Sequence, residues 1–461
     1  MIIQTPGVDM PCSFVPPYLL RRIASTSHDR ALLRGDEQTL RVDDELRRKR
    51  QSATPGAVLP TTSAQGDRVI HDAANTEELP GSPARTDDQP PTGDVAVDEA
   101  WESSGQVWAL FADEFGRSSV DGRGTTLSVT VHYGQAYDNA FWDGTQLVFG
   151  DGDGDGKVFD RFTKPMDVMA HEVTHGVTQF TAGLLYEGQS GALNESVSDV
   201  FASMTKQRVL GQSADQADWL IGEGLFLPSV NAKALRSMLE PGTAYDDPRL
   251  GRDPQVGSMG DYVDTEEDNG GVHINSGIPN RAFALAAIGV GGLSWVKAGK
   301  VWYDALTHGS VSERTEFEDF AQATVESAQR LFPEDATVAA AVRRAWTDVG
   351  LLPDSAAPAP TTPAPAPAGA ETVAVRRSGG FTGVVRTAEL DLGADPDGDE
   401  VRQLLMRVNM QSISISHARP DHFVYTVRYG EMHLTVPEQD LTPELHRVVE
   451  VVLDRGGSQL T

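Results

Sequence analysis

The stretch that most constrains this chain is HEVTHGVTQFTAGLLYEGQSGALNESVSD, residues 171 to 199. His171 and His175 are four residues apart, so on a helix both imidazoles leave one face a turn apart and can hold a single metal ion between them. Glu172, one residue beyond the first histidine, points about 100° round the same helix. That direction suits a carboxylate meant for a metal's water and not for the metal. A zinc ion that does chemistry takes three protein groups and leaves a fourth position to water. Glu195, on a second expected helix, is the candidate third group. Asp199, one turn further on, faces the same way and can accept the free ring N–H of a ligating histidine. Alone, two histidines at this spacing are as compatible with surface or core positions as with ligands.

The chain has 461 residues, more than one ordinary core accommodates, and its length suggests roughly three units. Its 38 basic and 67 acidic side chains give a net charge of −29, which repels phosphate backbones and argues against a nucleic-acid partner. No apolar run approaches the roughly 20 residues that span a bilayer, so no membrane partner is expected. Cys12 is the only cysteine, which rules out an intrachain disulfide. The N-terminus shows no basic start followed by an apolar core, so no export signal is expected there. The first fifty residues carry nine Lys/Arg against seven Asp/Glu, and the remainder 29 against 60. A basic leader on an acidic body favours electrostatic docking of one on the other.

Short strand patterns at 69–73 and 127–133 flank a helical spacing of Trp101, Val107, Trp108, Phe111 and Phe115. Asp151, Asp153 and Asp155 have the spacing of a calcium loop, but the twelfth position is Phe162 where a bidentate carboxylate is needed, so a turn and no metal is expected. The zinc helix is expected to begin near Pro165 and end before Gly183. Beyond about Gln207 the pattern reads as mostly helical. Residues 356–370 form a Pro/Ala spacer, and 371–461 read as hairpin, helix, hairpin and capped helix.

Several of these segments resemble the thermolysin-like family of zinc metallopeptidases. They are the HExxH helix with its distant Glu195, Asn139-Ala140-Phe141-Trp142, Arg236-Ser237-Met238, and Asp268-Asn269-Gly270-Gly271-Val272-His273-Ile274-Asn275-Ser276. The resemblance implies an α+β fold with a β-rich N-terminal lobe, a helical C-terminal lobe and a zinc cleft between them. Cys-Ser-Phe-Val-Pro-Pro-Tyr-Leu-Leu at 12 to 20 is similar to the short propeptide of the protealysin branch, which implies a segment that covers the cleft until it is cut, with Arg47-Arg48-Lys49-Arg50 an exposed place for the cut. A thiolate from Cys12 could reach the zinc, although a lone cysteine is more often a small apolar residue. The C-terminal order of elements is similar to emfourin, a small inhibitor of protealysin-like enzymes. The expected organisation is a propeptide at 1–55, an N-terminal lobe at 56–205, a helical lobe at 206–352, a linker at 353–370 and an inhibitor-like domain at 371–461.

The resemblance also implies roles. His171, His175 and Glu195 would hold Zn2+, Glu172 would be the general base, and His273, oriented by Asp268, would stabilise the oxyanion together with Tyr186. Asn139, the Ala140 backbone and Arg236 would bind substrate backbone, while Phe159, Phe162, Val168 and Leu235 would line an apolar pocket for the residue after the cut. The calcium pair of the long enzymes is not expected: Asp167 matches one ligand, but Lys206 stands where a glutamate would, and an ammonium cannot ligate a cation. The implied activity is a neutral endopeptidase, made as a precursor and exported like its relatives, that cuts before bulky hydrophobic residues. An aminopeptidase of the same metal type lacks a Gly-x-Met-Glu-Asn element here. The non-enzyme alternative is a self-inhibited precursor acting mainly as a protein-binding module.

Overall fold

The computed structural model describes residues 13–26, 39–42, 68–152, 158–308, 311–353, 372–379, 386–407, 423–429, 432–438, 441–455 and 457–460. The chain divides after Asp354 into two compact units. In the first, α1 (Pro17–Thr26) precedes β1 (Arg68–Asp72) and β2 (Ser82–Thr86), followed by the long α2 (Val95–Phe115). Asp94 caps α2 by accepting from the amides of Ala96 and Val97, and the helix stops where Gly116 turns left-handed at φ 62°. Its buried Val97, Trp101, Ser104, Val107 and Phe111 recur at three- and four-residue steps, which turns one face to the core.

The strands β3 (Leu127–Val131), β4 (Ala140–Trp142) and β5 (Leu147–Phe149) complete a mixed sheet of order β2-β1-β3-β5-β4. β4 is its edge and pairs antiparallel with β5. Next come α3 (Met166–Gln179), which carries the His171–His175 pair, and α4 (Gly188–Leu210), which carries Glu195 and Asp199. Every residue of α3 from Asp167 to Thr178 is buried, so this helix is enclosed all round and tolerates little movement.

The expectation of mostly helix beyond Gln207 holds only from Asp268. Between Gly211 and Glu267 the chain runs as turns with four two-residue strands, β6 (Leu220–Ile221), β7 (Arg236–Ser237), β8 (Asp246–Asp247) and β9 (Gly251–Arg252). Its glycines and Asp-rich turns leave no sustained 3.6-residue period. The helices α5 (Asp268–Asn275), α6 (Gly277–Val290), α7 (Ala298–Thr307), α8 (Phe317–Leu331) and α9 (Ala336–Asp348) then form the helical part. Trp302 and Trp346 stack at 5.9 Å, and the Trp346 indole donates to Thr324 at 2.8 Å, so its one polar atom is satisfied inside the core.

The second unit is a sheet of order β13-β12-β10-β11-β14, made of β10 (Thr372–Gly379), β11 (Arg386–Asp391), β12 (Phe423–Tyr429), β13 (Met432–Pro437) and β14 (Gly457–Leu460). Against it lie α10 (Gly398–Arg407) and α11 (Pro443–Arg455), with Val373, Val375, Val427, Leu445, Val448 and Val452 in a core of their own. Thr442 caps α11 by accepting from the Leu445 amide at 3.3 Å. The two hairpins and two helices stand where the sequence patterns put them. β14 carries no such pattern, being held by backbone pairing to β11.

One cross-link ties the sheet to α2. His132, at φ 54°, reaches Asp151 from Nδ1 at 2.8 Å and Asp94 from Nε2 at 3.2 Å. The hydrogen bond with Asp151, opposed by burial and helped by both carboxylate charges, pushes the imidazole up to about 9. A folded-state value above the unfolded 6.5 means the stabilisation is complete below that pH and is lost as pH rises through about 9. Because the Asp94 and Asp151 side chains are 45% and 31% exposed, screening should leave about 1 kcal/mol. Urea unfolding at pH 6 and pH 10 should show this loss, and a His132→Asn chain should lack it.

Candidate active site

The site is built by α4 reaching across α3. His171 and His175 face each other with their Nε2 atoms 2.9 Å apart and their rings at 81°. The outer nitrogens are taken: Asp199 accepts from His171 Nδ1 at 2.8 Å, and His175 Nδ1 meets Asn194 Oδ1 at 2.8 Å and Ser198 Oγ at 3.1 Å. With carboxylate and amide oxygens accepting at Nδ1, the lone pairs of both rings are left at Nε2, pointing at each other. From the same α4, Glu195 brings Oε2 to 3.5 Å from His171 Nε2 and Oε1 to 3.7 Å from His175 Nε2.

Two imidazole lone pairs and a carboxylate converging in a fully buried space make a cation site, and two nitrogens with one oxygen are the donor set of hydrolytic zinc centres. The residues therefore fit the metal. Glu172 is also fully buried, and one of its oxygens lies within 4.8 Å of donor atoms of both histidines. Charge states agree with ligation. Burial, reinforced by the His171 charge, takes His175 down to about 3, leaving it neutral. Burial works against an ionised Glu195, but His273, His171, His175 and Arg236 outweigh it and bring it to about 2.

A second set of groups rings this centre. Tyr186 donates to Glu195 at 2.5 Å, and its oxygen is 3.1 Å from His273 Nε2. Asp268 holds His273 twice, accepting from its amide at 2.9 Å and meeting Nδ1 at 2.7 Å. That double contact depends on a left-handed run through Asn269, Gly270 and Gly271, and a Cβ at Gly270 would lie 2.9 Å from the Gly188 nitrogen. Burial opposes protonation of His273, yet the charges of Asp268 and Glu195 prevail and its pKa is raised. Arg236, on β7, clamps Asp199 with two bonds of 2.8 Å, and burial notwithstanding, that guanidinium holds Asp199 well below the usual carboxylate range. Asn280 adds a fourth bond to Asp199, also at 2.8 Å.

The cleft contains the chain's own N-terminal segment. Ser13 bridges antiparallel to Phe141, so residues 13–15 extend the sheet past β4. The Phe14 amide donates to the Ala140 carbonyl at 3.0 Å. The Phe14 carbonyl accepts from Arg236 Nη1 at 3.1 Å, and the Ser13 carbonyl lies 3.1 Å from His273 Nε2. Asn139 takes both Val15 groups, accepting from its amide at 2.8 Å and donating to its carbonyl at 3.1 Å. The Phe14 ring is fully buried, edge-on to His171 at 5.1 Å with the Arg236 guanidinium 4.7 Å from its centre. Gly222 lies against both Leu235 and this ring, since a Cβ there would come within 3.1 Å of the Leu235 side chain and 3.3 Å of Phe14. Phe159, Phe162, Val168 and Leu235 belong to the same buried cluster as Phe14. Burying a phenylalanine stabilises by about 1.5–3 kcal/mol, enough to make it the anchor of the segment.

Two further expectations meet the structure here. Lys206 donates to Asp218 and Glu223 at 2.8 and 2.9 Å, while burial raises the nearby Asp167 to about 6. Asp151 is engaged by His132, and the remaining aspartates of its loop, with Cys12 and Arg47 to Arg50, lie outside the described residues. Sequence reasoning did not find Asn194, Ser198 and Asn280. Asn194 and Ser198 flank Glu195 and Asp199 on α4, so a helical wheel would have shown them beside the histidines; for Asn280 no local signal exists.

Comparison with known proteins agrees with this geometry. The family described as thermolysin metallopeptidase, catalytic domain, matches residues 63–179; thermolysin metallopeptidase, alpha-helical domain, matches 182–351; and emfourin matches 375–453. The chain is 50% identical over 340 residues to an extracellular metalloprotease of Pectobacterium carotovorum subsp. carotovorum, covering 74% of this chain and 96% of that one. It is 44% identical over 344 residues to protease PrtS of Photorhabdus sp. (strain Az29), covering 73% and 91%. Among solved structures it is similar to the precursor of protealysin, a metalloproteinase from Serratia proteamaculans, with a TM-score of 0.67 and 48% identity over 74% of this chain and 99% of that chain.

Proposed function

This chain belongs to the thermolysin family of zinc-dependent metallopeptidases and is a metalloendopeptidase, and we propose that it cuts peptides before bulky hydrophobic residues and is made as a precursor silenced by its own N-terminal segment. The observation that carries this reading is the seating of Phe14, with its ring against Gly222 and its flanking carbonyls on His273 and Arg236. Those are the contacts a peptide substrate needs. His171, His175 and Glu195 would hold the zinc, which when bound supplies Lewis acidity to a carbonyl and makes a water more acidic.

The rest of the chemistry belongs to the side chains. Glu172 takes the proton of the attacking water and passes it to the leaving amine. His273 and Tyr186 donate to the oxygen that gains charge, contacts typically worth about 3 kcal/mol each. Asp268 keeps the His273 ring aimed, and Asp199 does so for His171. Asn139, Ala140 and Arg236 hold the peptide backbone in register, and Val168, Leu235, Phe159 and Phe162 line the pocket for the residue after the cut.

The organisation proposed is the precursor segment at 1–55, two catalytic lobes meeting near residue 205, the linker at 353–370 and the emfourin-like domain at 371–461. The C-terminal domain is read as a brake on the enzyme, supported by its family match. Among the described residues no helix is long and apolar enough to cross a membrane; export is proposed because relatives are named extracellular. Peptide-library profiling of the full chain and of one ending at Leu352, both freed of the N-terminal segment, tests the substrate and brake readings together. Large apolar residues should dominate after the cut and the shorter chain should be faster. Charged residues at that position, or equal rates, would remove support from the respective reading. Lys206 is read as a tethered cation replacing bound calcium, so a calcium-selective chelator should leave the melting temperature unchanged.

A further inference from the structure

Resting on the protease reading above, we propose that the Ser13–Phe14 peptide bond is itself a cleavage site, cut by the cleft that holds it. Three successive carbonyls of the docked segment go to different partners. The Phe14 carbonyl is drawn to Arg236 and the Val15 carbonyl to Asn139. Only the Ser13 carbonyl faces the catalytic groups: its oxygen is 3.1 Å from His273 Nε2, which in turn is 3.1 Å from the Tyr186 hydroxyl and 3.6 Å from Glu195 Oε2. The segment runs antiparallel to β4 and puts Phe14 in the pocket immediately after that carbonyl. This is the register of a substrate, and near-attack placement of a bond is what speeds its hydrolysis.

The reaction consumes only water. Its oxygen bonds to the Ser13 carbonyl carbon, the bond from that carbon to the Phe14 nitrogen breaks, and a proton passes to the nitrogen. The products are a carboxylate at Ser13 and an amino terminus at Phe14. The second product stays in place, because the Phe14 ring, the Asn139 bonds and α1 still anchor it. Leu19, Leu20 and Ile23 of α1 are buried in the same cluster as Phe14, and the Thr26 hydroxyl donates to the Arg249 carbonyl at 3.3 Å. The cut therefore precedes opening of the cleft and is distinct from it, and it lies well before the Arg47–Arg50 stretch.

Ser13–Phe14 is the only Ser-Phe pair in the sequence, so labelling Ser with 13C at the carbonyl and Phe with 15N marks this one bond. Full-length chain stripped of metal and then given zinc should lose the 13C–15N coupling and yield a new terminus beginning Phe-Val-Pro-Pro-Tyr, at a rate unchanged on dilution. In a Glu172→Gln chain the coupling should persist while zinc shifts the Ser13 carbonyl resonance. Phe14→Asp should slow the cut by about tenfold or more, as one lost pocket contact does. Absence of a terminus at Phe14 in a chain that hydrolyses an added peptide once another protease has removed its N-terminal segment overturns this inference and leaves the protease reading standing. Failure of both overturns both. A rate that falls on dilution overturns the intramolecular cut, and an unshifted Ser13 resonance overturns the proposed register.

Discussion

Glu172→Gln should keep the zinc and lose turnover by about 10²–10⁴-fold, the span that a positioned acid–base group contributes. The prediction separates two carboxylates that geometry alone does not, since both Glu172 and Glu195 approach the histidines. If Glu195 is the ligand, replacing the Glu172 carboxylate by an amide of the same shape removes a proton acceptor and leaves the metal's donor set intact. Glu195→Gln should do the reverse, because an amide oxygen carries no charge to offer the cation and the Tyr186 hydroxyl loses its ionised acceptor. Metal content by atomic absorption, and kcat on a casein-type substrate once an added protease has removed the N-terminal segment, give the two readouts. A Glu172→Gln chain that arrives without zinc would make Glu172 the ligand and reverse the assignment.

The legibility of this site in the sequence followed from locality. His171, Glu172 and His175 share one helix and Glu195 and Asp199 share the next, so those sets could be read from spacing, whereas Asp268 and His273, within one short segment, were legible only through the family resemblance. Helix packing alone then had to bring α3 and α4 together, which the burial of both made nearly unavoidable. Asn280 was hidden for the opposite reason, since its bond to Asp199 spans 81 residues and no periodicity encodes such a contact. The stretch from Gly211 to Glu267 was misread because its two-residue strands are too short to show alternation. The docking of Phe14 was legible only in outline. A Pro-Pro segment near the N-terminus pointed to a covered cleft, but which side chain enters the pocket depends on register against β4, and a one-residue slip would have presented Ser13 or Val15 instead.

Arg236→Ala should destabilise the first unit by about 3–5 kcal/mol, the usual cost of leaving one member of a buried ion pair alone. The guanidinium and Asp199 are both almost fully buried, with 2% and 0% of their surfaces exposed, so solvent cannot replace the lost charge. Asn280 and the His171 ring remain on Asp199, but neither carries the fixed positive charge that kept it ionised. Metal affinity should also fall, by about 10–100-fold, because Asp199 would no longer be held on the His171 ring. Arg236→Lys should lie between, restoring a charge without the fork that spans both carboxylate oxygens. The decisive comparison is the double change Arg236→Ala with Asp199→Asn: removing the stranded charge should recover part of the loss, as measured by urea unfolding midpoints. If the double variant is instead as unstable as the sum of the two single ones, the pair is not coupled through charge and the cavity left by the arginine side chain is the cause.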